Sequence, residues 1–306
     1  MRVVVCGAGA VGGLYASMLH ALDPTCVRIL ADGERADRLR AQGIVVNGQR
    51  FDVRLLSPRQ SGPPADLVLI AVKQHHLAAA VEALRPVVGP ETIFLSLLNG
   101  ISSEAVLGAA FGDANVLPAF VLGTDAVRTG QQITYGQTGK IVFGARSNDP
   151  ADPRVVAVSA LFKRAGIPHL IPADILREQH WKFMLNVGAN QVSAVLRAPY
   201  GAFGAVPEVQ ALARAAALEA VLVARAEGVL LEPSDVEQIF PVLARLSPGG
   251  KTSMLQDVEA GRKTEVELFS GTVLALAQKH GLQAPVNALL NQQIVALERL
   301  SGARTA

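Results

Sequence analysis

The chain opens on Met1-Arg2-Val3-Val4-Val5-Cys6-Gly7-Ala8-Gly9-Ala10-Val11-Gly12, an apolar run followed directly by a GxGxxG pattern. The run predicts a strand and residues 14–22 predict a helix, which is the context that a dinucleotide-binding loop requires. Gly7 allows the tight turn, Gly9 lets the backbone approach a pyrophosphate, and Gly12 lets the helix pack closely on the strand. The helix N-terminus offers free N–H groups to the phosphates. An ordinary glycine turn is the alternative, but the flanking strand and helix favour a nucleotide site, with every residue from Gly7 to Gly12 as a candidate contact.

Asp32 stands at the end of the second predicted strand, residues 27–31. An acidic side chain at this place can hydrogen-bond the 2′-hydroxyl of an adenosine ribose and repel a 2′-phosphate, which favours NADH. Arg35 and Arg38 lie just downstream and can hold a 2′-phosphate instead, which favours NADPH. A solvated charged loop with no role in binding is the third interpretation.

The first 170 or so residues alternate short β-branched runs with helical patterns, which predicts a parallel sheet covered by helices. The predicted strands are residues 2–6, 27–31, 66–72, 91–97 and 116–122. Two hairpins interrupt the alternation. The first turns at Asn47-Gly48, a dipeptide suited to positive φ, and joins residues 43–46 to 51–56. The second pairs residues 132–135 with 140–143, so the late part of the sheet is expected to be antiparallel.

From about Ile175 onward the strand signal disappears and the chain reads as helices separated by proline and glycine. We place the domain boundary near Ala173. The expected architecture is a Rossmann-type NAD(P)-binding α/β domain over residues 1–173 and an all-helical substrate and catalytic domain over residues 174–306.

Composition narrows the class of partner. Of the 306 residues, 50% are hydrophobic and 18% are charged, which suits a well-buried globular protein. The formal net charge is +2 and no basic run is present, so nucleic acid is not expected as a partner. A small molecule is therefore the expected partner.

The sequence also predicts no membrane partner. The apolar N-terminus is too short for a signal peptide. The most membrane-like stretch, residues 211–230, is interrupted by charged residues, whereas a span needs roughly 20 predominantly apolar residues. Only Cys6 and Cys26 are present, without CxxC or metal-ligand spacing, so no disulfide framework and no metal site are expected. A reducing cytoplasm is the expected location.

A polar stripe interrupts an apolar helical pattern in the second half of the chain. Lys182, Asn186 and Asn190 follow one another at i, i+4 and i+8, so they share one helix face. Asparagine inside a helix costs roughly 0.7 kcal/mol relative to alanine, which suggests that something other than helix stability favours it here. The alternative is a solvent-facing stripe in which Lys182 pairs with Glu178.

Two later segments carry further candidates. Ser253 lies in Lys251-Thr252-Ser253-Met254-Leu255-Gln256-Asp257, and Glu265 lies in Thr264-Glu265-Val266-Glu267. Both segments contain a capping-box pattern, Ser253 with Gln256 and Thr264 with Glu267. The structural alternatives are therefore that Ser253 is an N-cap and that Glu265 is an acid in the first turn of a helix.

Taken together, these residues resemble the ketopantoate reductase (2-dehydropantoate 2-reductase) family over nearly the whole chain. The landmarks in this sequence are the Gly7/Gly9/Gly12 loop, Val72-Lys73, Leu98-Asn99-Gly100, Lys182 with Asn186 and Asn190, Ser253-Met254-Leu255-Gln256-Asp257, and Thr264-Glu265. The resemblance implies a Rossmann-type domain joined to an all-helical domain, with the active site in the cleft between them. A homodimer is a candidate assembly, although the sequence does not give the oligomeric state.

The implied reaction is reduction of the 2-carbonyl of ketopantoate to pantoate with hydride from NADPH or NADH, a step toward pantothenate and coenzyme A. Lys182 is implied as the general acid, because an alkoxide forming at the carbonyl needs both a cation and a proton. Glu265 is implied as the second catalytic residue. The resemblance also implies further contacts, with substrate at Asn99, Asn186, Asn190, Ser253 and Glu265, and on the nicotinamide side at Lys73 and Asn99.

The sequence departs from the family pattern at two positions. The family commonly has an arginine where this chain has Asp32, and asparagine where it has Gly250, three residues before Ser253. The second departure removes a candidate substrate hydrogen bond and leaves room for a different 2-oxo acid. The alternatives to ketopantoate reduction are a reductase of another 2-oxo or 3-hydroxy acid and a protein that senses NAD(P) without turnover.

Overall fold

The computed structural model describes residues 1–59 and 62–304, which fall into two units, Met1–Ile175 and Leu176–Ala306. The strands of the first unit are β1 (Val3–Cys6), β2 (Val27–Leu30), β3 (Ile44–Val46), β4 (Gln49–Phe51), β5 (Arg54–Leu56), β6 (Leu67–Ile70), β7 (Ile93–Ser96), β8 (Val116–Leu117), β9 (Ala119–Thr124), β10 (Val127–Thr129), β11 (Gln132–Thr134), β12 (Thr138–Phe143) and β13 (His169–Leu170). Its α-helices are α1 (Ala10–Leu22), α2 (Gly33–Gln42), α3 (Leu77–Leu84), α4 (Ser103–Phe111) and α5 (Pro153–Arg164).

A six-stranded parallel sheet in the order β5-β2-β1-β6-β7-β8 forms the centre of the first unit. Strands β1, β6 and β7 are buried along their whole length, as expected for a sheet covered on both faces. The chain leaves β1 toward β2 on one side and later returns to β6 on the other. The carboxyl end of β1 is therefore a topological switch point, where open α/β sheets bind ligands. The predicted Rossmann-type fold is confirmed.

The first predicted hairpin is confirmed in part. Strands β3 and β4 pair antiparallel around Asn47 and Gly48, whose φ angles are 46° and 82°. The extension of the second arm to residue 56 is wrong, because β5 pairs parallel with β2. Pairing with β2 buries Leu56, which is 8% exposed.

The second predicted hairpin is wrong. Strand β11 pairs antiparallel with β10 and parallel with β3, whereas β12 pairs antiparallel with β9 and parallel with β13. The two segments therefore belong to different sheets. An alternating pattern specifies that a segment is a strand and which face is buried, but it does not specify the partner strand.

The single strand predicted over residues 116–122 is divided at Pro118. β8 is the last strand of the parallel sheet and β9 begins a three-stranded sheet in the order β13-β12-β9. Proline has no N–H to donate to a ladder, so a strand commonly ends or changes partner there. The segment predicted as one strand, residues 116–122, thus contributes strands to two different sheets.

The second unit is helical. Its α-helices are α6 (Ile175–Leu196), α7 (Ala202–Ala205), α8 (Pro207–Ala226), α9 (Ile239–Ala244), α10 (Ser253–Glu259), α11 (Ser270–His280) and α12 (Pro285–Arg304). Helix α6 approaches α8 closely at Gly188, where a Cβ would lie 2.9 Å from the carbonyl oxygen of Ala213. Small residues allow this close approach. Among the described residues, no helix is long and apolar enough to cross a bilayer.

Candidate active site

The glycine loop adopts a conformation that other residues could not share. Gly7 has a φ of +108°, and a Cβ there would lie 2.5 Å from the carbonyl oxygen of Ala71. A Cβ on Gly12 would lie 1.9 Å from the carbonyl oxygen of Gly7, so helix α1 packs on the loop with no space for a side chain. Both positions require glycine for steric reasons.

Gly9 differs from its neighbours. Its φ is −75°, and a Cβ at this position would have the carbonyl oxygen of Ala71 as its nearest neighbour, at 3.9 Å. Gly9 is the N-cap of α1, and no side chain accepts a hydrogen bond from the first turn. The absence of a Cβ therefore leaves backbone accessible beside unsatisfied N–H groups, and this arrangement fits a pyrophosphate.

Two more candidates lie at the same edge of the sheet. Lys73 follows β6 and precedes a short 3-10 helix, Gln74–His76, and Asn99 follows β7. Because β1, β6 and β7 are adjacent parallel strands, their carboxyl ends bring Lys73 and Asn99 to the side of the glycine loop. Lys73 is exposed and Asn99 is half-buried.

Asp32 has a structural role in this unit. It is the N-cap of α2, and its Oδ1 accepts a hydrogen bond of 2.8 Å from the backbone N–H of Gly33. Its Oδ2 lies 3.2 Å from Nε of Arg59. The carboxylate is thus already engaged by a helix N-terminus and a guanidinium, which both offset its negative charge.

Arg128 is a residue that the sequence patterns do not single out. It comes from β10, and its Nη1 donates to the carbonyl oxygen of Ala8 in the glycine loop. Its Nη2 donates to Oε1 of Gln131 at 2.6 Å. The two ends of the contact with the loop are 120 residues apart in sequence, so no local pattern predicts it.

The polar stripe of the second unit lies on α6. Asn186 and Asn190 are each only 8% exposed, so the solvent-facing interpretation is wrong at these two positions. Lys182 is half-buried on the same face. Within the described part of the chain, neither asparagine side chain has a hydrogen-bond partner. Each amide presents both donors and an acceptor, so these two groups are suited to binding a polar ligand.

Gln191, next to Asn190, connects α6 to two other helices. Its Nε2 donates to Oδ1 of Asn287 at 3.0 Å, and its Oε1 accepts from the backbone N–H of Ser270 at 3.2 Å. Gln191, Ser270 and Asn287 are all 0% exposed. These bonds fix the position of α6 relative to the starts of α11 and α12.

Glu219 completes this buried network. Its carboxylate accepts hydrogen bonds from the backbone N–H groups of Val286 and Asn287, at 2.9 and 2.8 Å, and from Nδ2 of Asn287 at 2.7 Å. Those N–H groups belong to the first turn of α12, so the helix dipole also stabilises the buried charge. The catalytic candidates on α6 are therefore supported by a fully bonded polar layer.

Ser253 is not an N-cap. Thr252 has that role in α10, and its Oγ1 accepts from the backbone N–H of Leu255 at 3.2 Å. Gln256 donates to the carbonyl oxygen of Lys251 instead of closing a capping box. The cap thus lies one residue before the predicted position, and the hydroxyl of Ser253 is left exposed at the start of the helix.

Glu265 is buried, with 8% exposure, directly before the short 3-10 helix Val266–Leu268. The capping box predicted for Thr264 and Glu267 does not form, because Oγ1 of Thr264 donates to Oε1 of Glu298 at 2.6 Å. Glu265 is thus not in the first turn of an α-helix.

Gly250 lies against an aromatic ring. A Cβ at this position would lie 3.0 Å from Cδ2 of Tyr200 and 3.0 Å from the carbonyl oxygen of Ser247. The backbone N–H of Tyr200 also donates to the carbonyl oxygen of Gly250 at 2.9 Å. A side chain such as asparagine is therefore disfavoured here unless Tyr200 moves.

The glycine loop at the switch point of a parallel sheet, followed by a helical unit, defines an NAD(P)-binding oxidoreductase of the Rossmann type. The family described as "Ketopantoate reductase PanE/ApbA" matches residues 3–148, and its C-terminal counterpart, "Ketopantoate reductase PanE/ApbA C terminal", matches residues 174–298. The chain belongs to the ketopantoate reductase family.

Individual relatives agree with this assignment. The 2-dehydropantoate 2-reductase of Halobacterium salinarum is 32% identical over 292 residues, covering 94% of this chain and 95% of the relative. The crystal structure of a PanE/ApbA family ketopantoate reductase from Ralstonia eutropha has a TM-score of 0.85 and 26% identity, covering 99% of this chain and 100% of its own. A D-mandelate dehydrogenase, solved with NADH and anilino(oxo)acetate, has a TM-score of 0.87 at 19% identity, covering 99% and 100% of the two chains, and shares the fold.

Proposed function

We propose that the chain reduces the 2-carbonyl of ketopantoate to pantoate. The observation that carries the proposal is the face of α6, where Asn186 and Asn190 are buried without a hydrogen-bond partner in the described chain and Lys182 is half-buried. Ketopantoate has a carboxylate, a 2-carbonyl and a 4-hydroxyl, so it can satisfy several polar groups at once. The family membership and the glycine loop support the same reaction.

Lys182 acts as the general acid in this proposal. When bound, NAD(P)H supplies a hydride to the carbonyl carbon. The ammonium of Lys182 stabilises the negative charge that develops on the carbonyl oxygen and gives that oxygen a proton. The lysine then takes a proton back from water, which closes the cycle.

The remaining groups bind and orient the substrate. Asn186 and Asn190 offer both a donor and an acceptor each, the hydroxyl of Ser253 donates to a carboxylate, and Glu265 accepts from a hydroxyl. The backbone around Gly9 would hold the pyrophosphate, with Lys73 and Asn99 on the nicotinamide side.

A different 2-oxo acid is the second candidate substrate, and the contact between Gly250 and Tyr200 favours it. The ring of Tyr200 lies against Gly250, so an apolar surface stands where the family resemblance implies an asparagine side chain. The fold is compatible with either substrate, since the same architecture occurs in a D-mandelate dehydrogenase.

The deciding experiment compares ketopantoate with 2-oxoisovalerate, which has the same branched carbon skeleton without the terminal hydroxyl. A site that hydrogen-bonds this hydroxyl should favour ketopantoate over 2-oxoisovalerate by up to about 10⁴-fold in kcat/KM. With 2-oxoisovalerate, the polar groups that bind the hydroxyl would be left without a partner. Equal kcat/KM values would assign a less selective 2-oxo acid reductase. Dinucleotide binding without turnover of either compound would assign a nucleotide sensor.

Matched variants sharpen this comparison. Asn190→Ala should reduce kcat/KM for ketopantoate more than for 2-oxoisovalerate if its amide pairs the hydroxyl. Asn291→Ala is the control, because Asn291 also carries an amide in the helical unit but donates it to Oγ of Ser270 at 3.0 Å. Equal effects of Asn190→Ala on both substrates would remove Asn190 from hydroxyl recognition.

A further inference from the structure

The loop after β7, residues 97–102, carries Asn99, a candidate contact for both nicotinamide and substrate. The ladder between β7 and β6 ends at Leu97, whose backbone N–H donates to the carbonyl oxygen of Ile70 at 2.8 Å. Directly after Asn99, Gly100 has a φ of 85°, a backbone conformation that leaves the strand. The position of Asn99 therefore depends on contacts outside the ladder.

Three buried polar side chains join the two ends of this loop. Ser96 is the last residue of β7, and Ser103 and Glu104 begin α4; their exposed fractions are 0%, 1% and 3%. The Oγ atoms of the two serines are 2.7 Å apart. Oγ of Ser103 donates to Oε2 of Glu104 at 2.9 Å. These hydrogen bonds hold the end of β7 against the start of α4.

Glu104 sets the direction of the hydrogen bonds. A carboxylate only accepts, so the hydroxyl proton of Ser103 points to Glu104 and Oγ of Ser103 accepts the proton of Ser96. Oγ of Ser96 in turn accepts from the backbone N–H of Leu98 at 3.4 Å. The chain of hydrogen bonds thus runs from Leu98, the residue before Asn99, through both serines to the carboxylate.

The burial of Glu104 is not explained by helix stability. An acid in the first turn of a helix is stabilised by the helix dipole, but it gains this interaction at the surface as well. Glu34, in the first turn of α2, is exposed. Taking a carboxyl group out of water is costly unless hydrogen bonds compensate, so the buried position of Glu104 needs another reason. The connection to the loop supplies one.

We propose that Glu104 is a positioning residue for Asn99. Through the hydroxyls of Ser103 and Ser96, it holds the loop in the conformation in which the amide of Asn99 serves the nicotinamide and the substrate. The inference rests on the proposed function for the role of Asn99. In this role the carboxylate itself carries no step of the reaction.

The test is a double-mutant cycle between Ser103→Ala and Asn99→Ala. It is read by calorimetric binding of NADPH or NADH, whichever the unmodified protein binds more tightly, and by kcat/KM with ketopantoate. Ser103→Ala keeps the carboxylate of Glu104 and removes only its link to Ser96. Each readout should worsen by about tenfold, a typical loss for a buried hydrogen bond. In the Asn99→Ala background, the same substitution should change either readout by less than about twofold, because its effect passes through Asn99.

Further variants test the chain of hydrogen bonds. Ser96→Ala should match Ser103→Ala, and the two substitutions together should have no larger effect, because each breaks the same series. Glu104→Gln keeps an oxygen that accepts from Ser103 and should retain most of the dinucleotide affinity. Glu104→Leu has no acceptor and should behave like Ser103→Ala.

Ser17→Ala is the matched control. Ser17 is a buried serine of the same unit, 4% exposed, and its Oγ donates to the carbonyl oxygen of Leu14 at 2.7 Å within α1. The variant should lower the free energy of unfolding in urea and leave dinucleotide affinity and kcat/KM unchanged.

Additive losses in the cycle, or equal losses in Ser103→Ala and Ser17→Ala, would overturn the inference and leave the proposed reductase intact. Unchanged binding and kcat/KM in Asn99→Ala would overturn it as well. If the unmodified protein reduced neither ketopantoate nor 2-oxoisovalerate, the proposed function would be rejected, and the binding cycle would still decide on Glu104. Failure of both dinucleotides to bind would reject both.

Discussion

The Oε1 atom of Gln191 accepts a hydrogen bond of 3.2 Å from the backbone N–H of Ser270. This bond joins α6, which carries Lys182, Asn186 and Asn190, to the start of α11. Oγ of Ser270 in turn donates a hydrogen bond of 3.4 Å to the carbonyl oxygen of Val266, the residue that follows Glu265. Gln191 therefore connects α6, through Ser270, to the segment that carries Glu265.

Replacing Gln191 by methionine should disturb both stability and turnover. Methionine keeps the volume but leaves the N–H of Ser270 and the Oδ1 of Asn287 buried without a partner, which should lower the free energy of unfolding by about 1–3 kcal/mol. We also expect kcat with ketopantoate to fall, because α6 loses its register against the segment with Glu265. Urea denaturation and steady-state kinetics measure the two effects.

Ser193→Ala is the control for this substitution. Ser193 is equally buried on α6 and its Oγ donates to the carbonyl oxygen of Ala198 at 2.6 Å, so the variant loses a buried hydrogen bond away from Ser270. It should lose stability with kcat unchanged. If both variants lowered kcat in proportion to their loss of stability, Gln191 would have no positioning role.

Lys182→Ala should remove the proton donor and the charge that stabilises the alkoxide. Loss of both should lower kcat by about 10²- to 10⁴-fold. The dissociation constant for NADPH should stay within about threefold, since the proposed role of the lysine is at the substrate oxygen. Lys279→Ala, at an exposed lysine that pairs with Glu227, is the control and should retain full activity. Turnover near that of the unmodified enzyme in a folded Lys182→Ala protein would reject the assigned role.

Gly9→Ala should impair nucleotide binding, whereas Gly12→Ala should lower the stability of the fold. Gly9 has an ordinary φ of −75° and open space in front of it, so alanine should fold normally but obstruct the pyrophosphate and weaken NADPH binding at least about tenfold. At Gly12, a Cβ would overlap the carbonyl oxygen of Gly7, and we expect a loss of about 1–3 kcal/mol or more of stability. Thermal unfolding and calorimetric titration of each variant test this division. Normal NADPH affinity in Gly9→Ala would contradict it.

The thiol of Cys6 should make stability fall at alkaline pH. Burial raises its pKa from 9.0 to about 11, so in this range the unfolded chain loses the proton before the folded chain does. The contribution to stability is complete below pH 9 and is lost as the pH rises toward 11, by about 1.4 kcal/mol per pH unit. The free energy of unfolding of Cys6→Ala should decline less over this range than that of the unmodified protein. Parallel declines in the two proteins would show that Cys6 does not contribute.

The nucleotide-binding part of the fold was determined largely by local sequence. The steric demands at Gly7 and Gly12 involve neighbours in the loop and in the adjacent strand, so the GxGxxG pattern with its flanking strand and helix is sufficient to predict them. The polar stripe on α6 was equally predictable from the sequence, because helical periodicity alone places Lys182, Asn186 and Asn190 on one face.

Strand partners and the supporting polar contacts were decided by tertiary structure. The alternating pattern marks β5, β11 and β12 as strands but is equally compatible with several partners, and the choice depends on which pairing buries more apolar surface. The contacts of Arg128 with Ala8 and of Gln191 with Ser270 join residues 120 and 79 positions apart. Such bonds have no sequence period, because they arise only when packing of whole elements brings the two side chains together. The local sequence therefore determined which groups can do chemistry, and the packed fold determined which residues hold them in place.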